Sequence, residues 1–168
     1  AVSNLDYSTS GQLSLSVKSG WANDYTDWSY RAPIVINNAG TSISGSYQVD
    51  LEVDTSTLIS DSRLKNSCED LRFADSLGNV INYWIEEDNP GCGEANTKIW
   101  VALPSVPTGD TTIYMYYGNS EASDGQDGDA VFQFFDNFSG SSIDTNKWNV
   151  DNSTGFSVTG GELNGTNN

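Results

Sequence analysis

The run Tyr47-Gln48-Val49-Asp50-Leu51-Glu52-Val53-Asp54 alternates apolar and polar side chains without a break. Successive side chains of a β-strand leave opposite faces, so a period of two buries a single face only in extended backbone. The segment is therefore a half-buried strand whose other face is almost wholly acidic. The same reading covers Ala32 to Asn37, Asp70 to Ala74, Val80 to Ile85, Lys98 to Leu103 and Thr111 to Tyr117, each closed by Gly, Pro, Asn or Asp. No stretch sustains a helical period. Short strands with Gly-rich punctuation predict an all-β fold, an antiparallel β-sandwich or a jelly-roll-like arrangement.

A chain of 168 residues and 18.2 kDa has room for one well-buried core and the start of a second unit. Its formal net charge is -16, with seven Lys and Arg in total. Such a field repels phosphate backbones and anionic lipid, so nucleic acid and membrane surfaces are poor partners. No apolar run reaches the length of about 18 residues that a bilayer span needs. The opening Ala1-Val2-Ser3-Asn4 suits a mature end left by leader cleavage, which points to the cell exterior.

The chain holds two cysteines, Cys68 and Cys92, and no histidine. Without a histidine or further cysteine to complete a metal site, a disulfide is the expected fate of the pair in an oxidising compartment. A closed loop of about 24 residues would stabilise the fold by roughly 3 kcal/mol. Sequons at Asn137, Asn152 and Asn164 are candidate N-glycosylation positions.

Two segments stand apart from the strand-rich body. Residues 1–20 form a polar arm whose alternating Leu13-Ser14-Leu15-Ser16-Val17 reads as a donor-type strand, with Leu13, Leu15 and Val17 on its apolar face. The body is expected over 21–138, including an aromatic strand from Val131 to Phe138. Residues 139–168 carry further strands with no evident partners.

From Trp28 to Phe138 the sequence resembles a domain family of unknown function, DUF2341, found in secreted and surface proteins of archaea and bacteria. The resemblance rests on Trp28-Ser29-Tyr30-Arg31-Ala32-Pro33-Ile34, Cys68-Glu69-Asp70-Leu71-Arg72-Phe73-Ala74-Asp75, Tyr83-Trp84-Ile85-Glu86, Ile99-Trp100-Val101-Ala102-Leu103-Pro104, Ile113-Tyr114-Met115-Tyr116-Tyr117-Gly118-Asn119 and Val131-Phe132-Gln133-Phe134-Phe135-Asp136. It implies a β-sandwich outside the cell and no established reaction. Asp136-Asn137-Phe138-Ser139-Gly140 followed by Asp144-Thr145-Asn146-Lys147-Trp148 is similar to the opening of a concanavalin-like (LamG-type) sandwich.

The absence of histidine removes Ser-His-Asp and Cys-His nucleophilic machinery and most zinc and iron sites. A glycosidase needs only two carboxylates, and Glu86, Glu87, Asp88 and Glu94 lie close in sequence. Glu86 and Glu87 would point to opposite faces of a strand, which makes them a poor pair, so no enzyme is expected.

Trp21, Trp28, Tyr30, Tyr83, Trp84, Trp100, Tyr114, Tyr116 and Tyr117 are abundant for this length. Alternation sends Ile113, Met115 and Tyr117 to one face and Tyr114 and Tyr116 to the other. Trp100 likewise falls opposite the aliphatic residues of its run. If Trp84, Trp100, Tyr114 and Tyr116 adjoin in the open they form a glycan-binding platform; if another element covers them they form a second core. Asp124, Asp127 and Asp129, set among Gly125 and Gly128, are either a Ca2+ loop or a solvated acidic turn. Arg31 and Arg72 are expected to pair with acids such as Asp70 or Asp75.

Two functions compete. In the first, the chain is a non-catalytic structural or adhesive module of an extracellular appendage, a filament subunit or adhesin, joined to copies of itself or to other surface subunits by strand addition. In the second it is a carbohydrate-binding module gripping a polysaccharide with outward aromatics, assisted by Ca2+.

Overall fold

In a computed structural model, residues 5–7, 13–15, 25–87, 91–150 and 155–165 are described. The chain divides into two compact units, Ala1–Val131 and Phe132–Asn168. That division falls earlier than the boundary after Phe138 expected from sequence.

The first unit is an antiparallel sandwich, as the alternation predicts. One sheet comprises β3 (Tyr30–Asn38), β9 (Gly109–Tyr117), β5 (Arg72–Asp75) and β6 (Val80–Ile81), in that spatial order. The other comprises β4 (Ile43–Val53), β8 (Thr97–Val106) and β7 (Tyr83–Ile85). Register places Ile34 opposite Ile113 in the first sheet and Leu51 opposite Ile99 in the second. The facing side chains Phe73, Ile81, Tyr83, Ile85, Ile99, Val101, Leu103, Ile113 and Met115 form the buried core between the sheets. Each such side chain contributes about 1.5–3 kcal/mol through removal from water.

The segment Val80 to Ile85, which reads as one strand, is two. Asn82 interrupts it, and the chain leaves the first sheet as β6 and enters the second as β7. Ile81, Tyr83 and Ile85 all point into the core, so the period of two runs on through the corner. This crossing closes one side of the sandwich. On the other side, β3 and β4 are both edge strands. Their inward residues Ala32, Ile34, Ile36, Ile43, Val49 and Val53 are only half-buried, whereas Ile113, Ile99 and Val101 in the next strands are fully buried.

Between β4 and β5 lies helix α1 (Thr55–Ser60), too short to show a period in sequence. Asp54 caps it, accepting hydrogen bonds from the Thr57 backbone and from the Ser56 and Thr57 hydroxyls. Buried Thr55 and Thr97 hydrogen-bond to each other, and Thr97 also donates to the Gly91 carbonyl. The Cys68–Cys92 disulfide ties the loop after α1 to the loop before β8. Among the described residues no buried side-chain nitrogen or oxygen lacks a partner.

The arm contributes a two-stranded hairpin, β1 (Leu5–Tyr7) with β2 (Leu13–Leu15), paired antiparallel. Neither strand belongs to the sheets of the sandwich. A second helix, α2 (Gly128–Val131), ends the unit.

In the second unit the expected strand from Val131 to Phe138 does not form. Phe138 takes a left-handed φ of 49°, and the aromatics collapse onto one another instead. Phe134 meets Trp148 edge-on at 5.0 Å, Phe138 stacks on Trp148 at 5.8 Å, and the Trp148 indole N–H donates to Asp136 at 2.6 Å. The final strands β10 (Phe156–Thr159) and β11 (Glu162–Gly165) pair with each other, so they do have partners.

Candidate binding surfaces

The four aromatics that would make one platform if they adjoined lie on two different sheets. Trp84 and Trp100 are directly opposed across β7 and β8, both half-buried, and the Trp100 indole N–H donates to Glu86 at 2.7 Å. Lys98 lies over the Trp100 ring at 5.9 Å. Tyr114 and Tyr116 sit on β9, facing away from the core. Because the two sheets pack by their other faces, these pairs look outward in opposite directions and cannot share a ligand.

Tyr116 moreover is not exposed. It is fully buried in a second cluster with Tyr25, Trp28, Ala74 and Ala122, its ring tilted against that of Tyr25 at 4.8 Å. Segments from before β3 and after β9 fold back over this face of the sheet. Tyr114 is half-buried at the margin of that cluster, with the Arg31 guanidinium 4.2 Å from its ring centre.

Arg72 does not pair with Asp70 or Asp75. Its guanidinium donates to the carbonyls of Glu69, Leu71 and Ser123 and lies 5.4 Å from the Trp28 ring centre. Asp70, almost wholly buried, instead accepts backbone N–H groups from Lys65, Gly118 and Asn119, while its carbonyl accepts the Trp28 indole N–H. Asp75 accepts from Leu77 and Asn79 in the β5–β6 turn. Burial pushes the Tyr83 hydroxyl well above the usual phenol range, and it stays protonated, donating to the Leu71 carbonyl.

The acidic loop is occupied by local bonding. Asp124 accepts the Gln126 backbone N–H and Asp127 that of Ala130 at the start of α2. Among the described residues no three His, Cys, Asp or Glu side chains, Asp124, Asp127 and Asp129 included, are grouped to hold a metal ion. Glu86 is bonded to Trp100, Glu94 uses its backbone carbonyl to hold Thr55, and Asp88 lies outside the described residues.

Of the sequons, Asn164 is exposed, Asn137 is half-buried and accepts the Ser139 backbone N–H, and Asn152 lies outside the described residues. Of the assembly residues, Leu13 and Leu15 fall in β2 and pair with Leu5 and Tyr7, while Val17 lies outside the described residues.

A cleft of about 690 Å3 was not foreseen from sequence. It opens between the start of β3, the loop after α1 and the turn after β9, and is lined by Tyr30, Arg63, Lys65 and several hydroxyl and amide side chains. Its walls come from segments far apart in the chain, so only a pattern of long-range contacts could have revealed it.

No curated protein and no solved structure matches the chain significantly. One family model, described as "Domain of unknown function (DUF2341)", matches residues 67–151. The match begins at the disulfide loop rather than at Trp28, runs through β5 to β9 and α2, and covers half of the sequence. The chain belongs to the DUF2341 family.

Proposed function

We propose that this chain is a non-catalytic structural or adhesive module of an extracellular surface assembly, joined to its neighbours by strand addition. The observation carrying this reading is one side of the sandwich, where among the described residues β3 and β4 are edge strands over half-covered core residues. Unpaired edges recruit strands unless they are blocked. In β3 the edge is interrupted by Pro33, which offers no N–H. In β4 the irregularity lies between Ser44 and Tyr47, leaving Tyr47 to Val53 as an unbroken acceptor.

The arm is a fitting donor. Leu13-x-Leu15-x-Val17 matches the inward Val49-x-Leu51-x-Val53 in period, and Lys18 would bring a positive charge beside the outward acids Asp50 and Glu52. A hairpin of two short strands is at best marginally stable alone, so transfer of β2 to a neighbour's β4 sacrifices little. The disulfide supports an oxidising, extracellular setting. The LamG-like opening of the second unit supports a surface protein with a further sandwich. A peptide of residues 10–20, added to a chain lacking residues 1–20, should protect the amides of Tyr47 to Val53 from hydrogen exchange. Unchanged exchange there would remove the reading.

The second reading, polysaccharide binding, is favoured by the Trp84–Trp100 pair, half-exposed on the outer face of its sheet. Trp100→Ala tests it: binding to a glycan array that survives this change would exclude that face.

A further inference from the structure

We infer that the cleft beside Tyr30 and Arg63 binds a carboxylated sugar unit of an extracellular polysaccharide. This site is separate from the β4 edge and from the Trp84–Trp100 face, and it stands whether or not the chain polymerises.

The cleft is lined by two cations and one carboxylate in a chain whose net charge is -16. Arg63 and Lys65 are two of the seven basic residues and both line it. The one lining carboxylate, that of Asp70, is already taken by three backbone N–H groups. Lys65 is held by Glu69 at 3.0 Å and by the Ala122 carbonyl, so it supplies field rather than a free donor. Arg63 meets Asp61 only at 3.7 Å, with both side chains about half exposed. An exposed pair of this kind is worth at most about 1 kcal/mol, and a ligand carboxylate can take Asp61's place.

The guanidinium is also held beside a ring. Tyr117 stacks on Tyr30 at 5.2 Å, and the Arg63 guanidinium carbon lies over the Tyr30 ring, 5.7 Å from its centre, in cation–π range at the cleft wall. A guanidinium stacked on an aromatic ring retains the planar fork that matches a carboxylate. Gly118 permits this stack: its φ is 86°, and a Cβ there would lie 2.6 Å from the Tyr30 ring.

Hydroxyls and an amide surround the cation. Ser29, Ser62 and Asn66 line the cleft with side chains for which the described residues supply no hydrogen-bond partner. A neutral ring of donors and acceptors around one exposed cation suits a ligand that carries many hydroxyls and one carboxylate. The walls are fixed beforehand, since Asp70 bonds both loops and Cys68 anchors one of them covalently. That lowers the ordering cost of binding.

The test uses the intact chain with oligogalacturonate and, as its neutral counterpart, the fully methyl-esterified oligomer. Calorimetric titration should show the acid form binding at least about tenfold more tightly, the worth of one charge-assisted hydrogen bond. Amide shifts should centre on Ser29, Ser62, Asn66 and Gly118. Arg63→Gln, at an exposed position, should remove that preference while the melting temperature holds, and Trp100→Ala should leave it intact. Equal affinity for both oligomers, full binding by Arg63→Gln, or no shifts at those amides would overturn the assignment.

Discussion

Asp70 ties together loops of the first unit that are far apart in sequence. Its carboxylate takes N–H groups from Lys65 on one loop and from Gly118 and Asn119 on another, and its carbonyl holds the Trp28 indole. Asp70→Asn keeps the shape but turns an N–H donor toward a backbone N–H. Leaving one or more buried donors unmatched should lower unfolding free energy by roughly 3 kcal/mol or more, as read by urea denaturation. Asp54 acts differently. Hydrogen bonds from Ser56 and Thr57 hold its carboxyl below the usual range, so its stabilising share is full above that range and drains away as pH falls through the lowered value. Asn also caps but does not titrate. The melting-temperature gap between the native chain and Asp54→Asn should therefore be widest above about pH 5 and close toward about pH 2. Alternation alone placed Ile113 and Met115 inside. It could not show that Tyr116 is covered, because the cover comes from Tyr25 and Trp28, nearly ninety residues away in sequence.

At the scale of elements, a corner and a collapse escaped the pattern. The corner at Asn82 keeps the inward period of Ile81, Tyr83 and Ile85, so nothing in the side-chain sequence marks the change of sheet. The segment from Val131 to Phe138 has strand-forming composition, yet it lacks an alternating polar face and folds as an aromatic cluster about Trp148. The disulfide, in contrast, was legible because the sequence offers no metal site to the two cysteines, which left a bond between them or two free thiols. Paired replacement of Cys68 and Cys92 by serine should destabilise the first unit by about 3 kcal/mol on the chain-entropy account. Hydrogen exchange should then quicken first in the loop after α1 and in residues 91–97, which the bond joins. Uniform exchange across the sandwich would contradict that local role.

At the scale of the whole molecule, the first unit is a sandwich closed on the side where β6 passes into β7, with β3 and β4 as the edge strands of its other side among the described residues. The alternation of β4 displayed its acidic face from the start, but edge position is a property of strand order, which no single strand records. The candidate cleft was invisible for the same reason. A net charge of -16 sets neighbours against each other, so assembly should strengthen from about 0.01 to 0.15 M salt as the screening length contracts. The most direct measurement is negative-stain electron microscopy with light-scattering mass determination, on the intact chain and on the chain lacking residues 1–20, both at 0.15 M ionic strength. Ordered polymers from the intact chain, beside folded monomers from the shortened one, are the result that strand addition predicts. Folded monomers from both, or polymers from both, would contradict it.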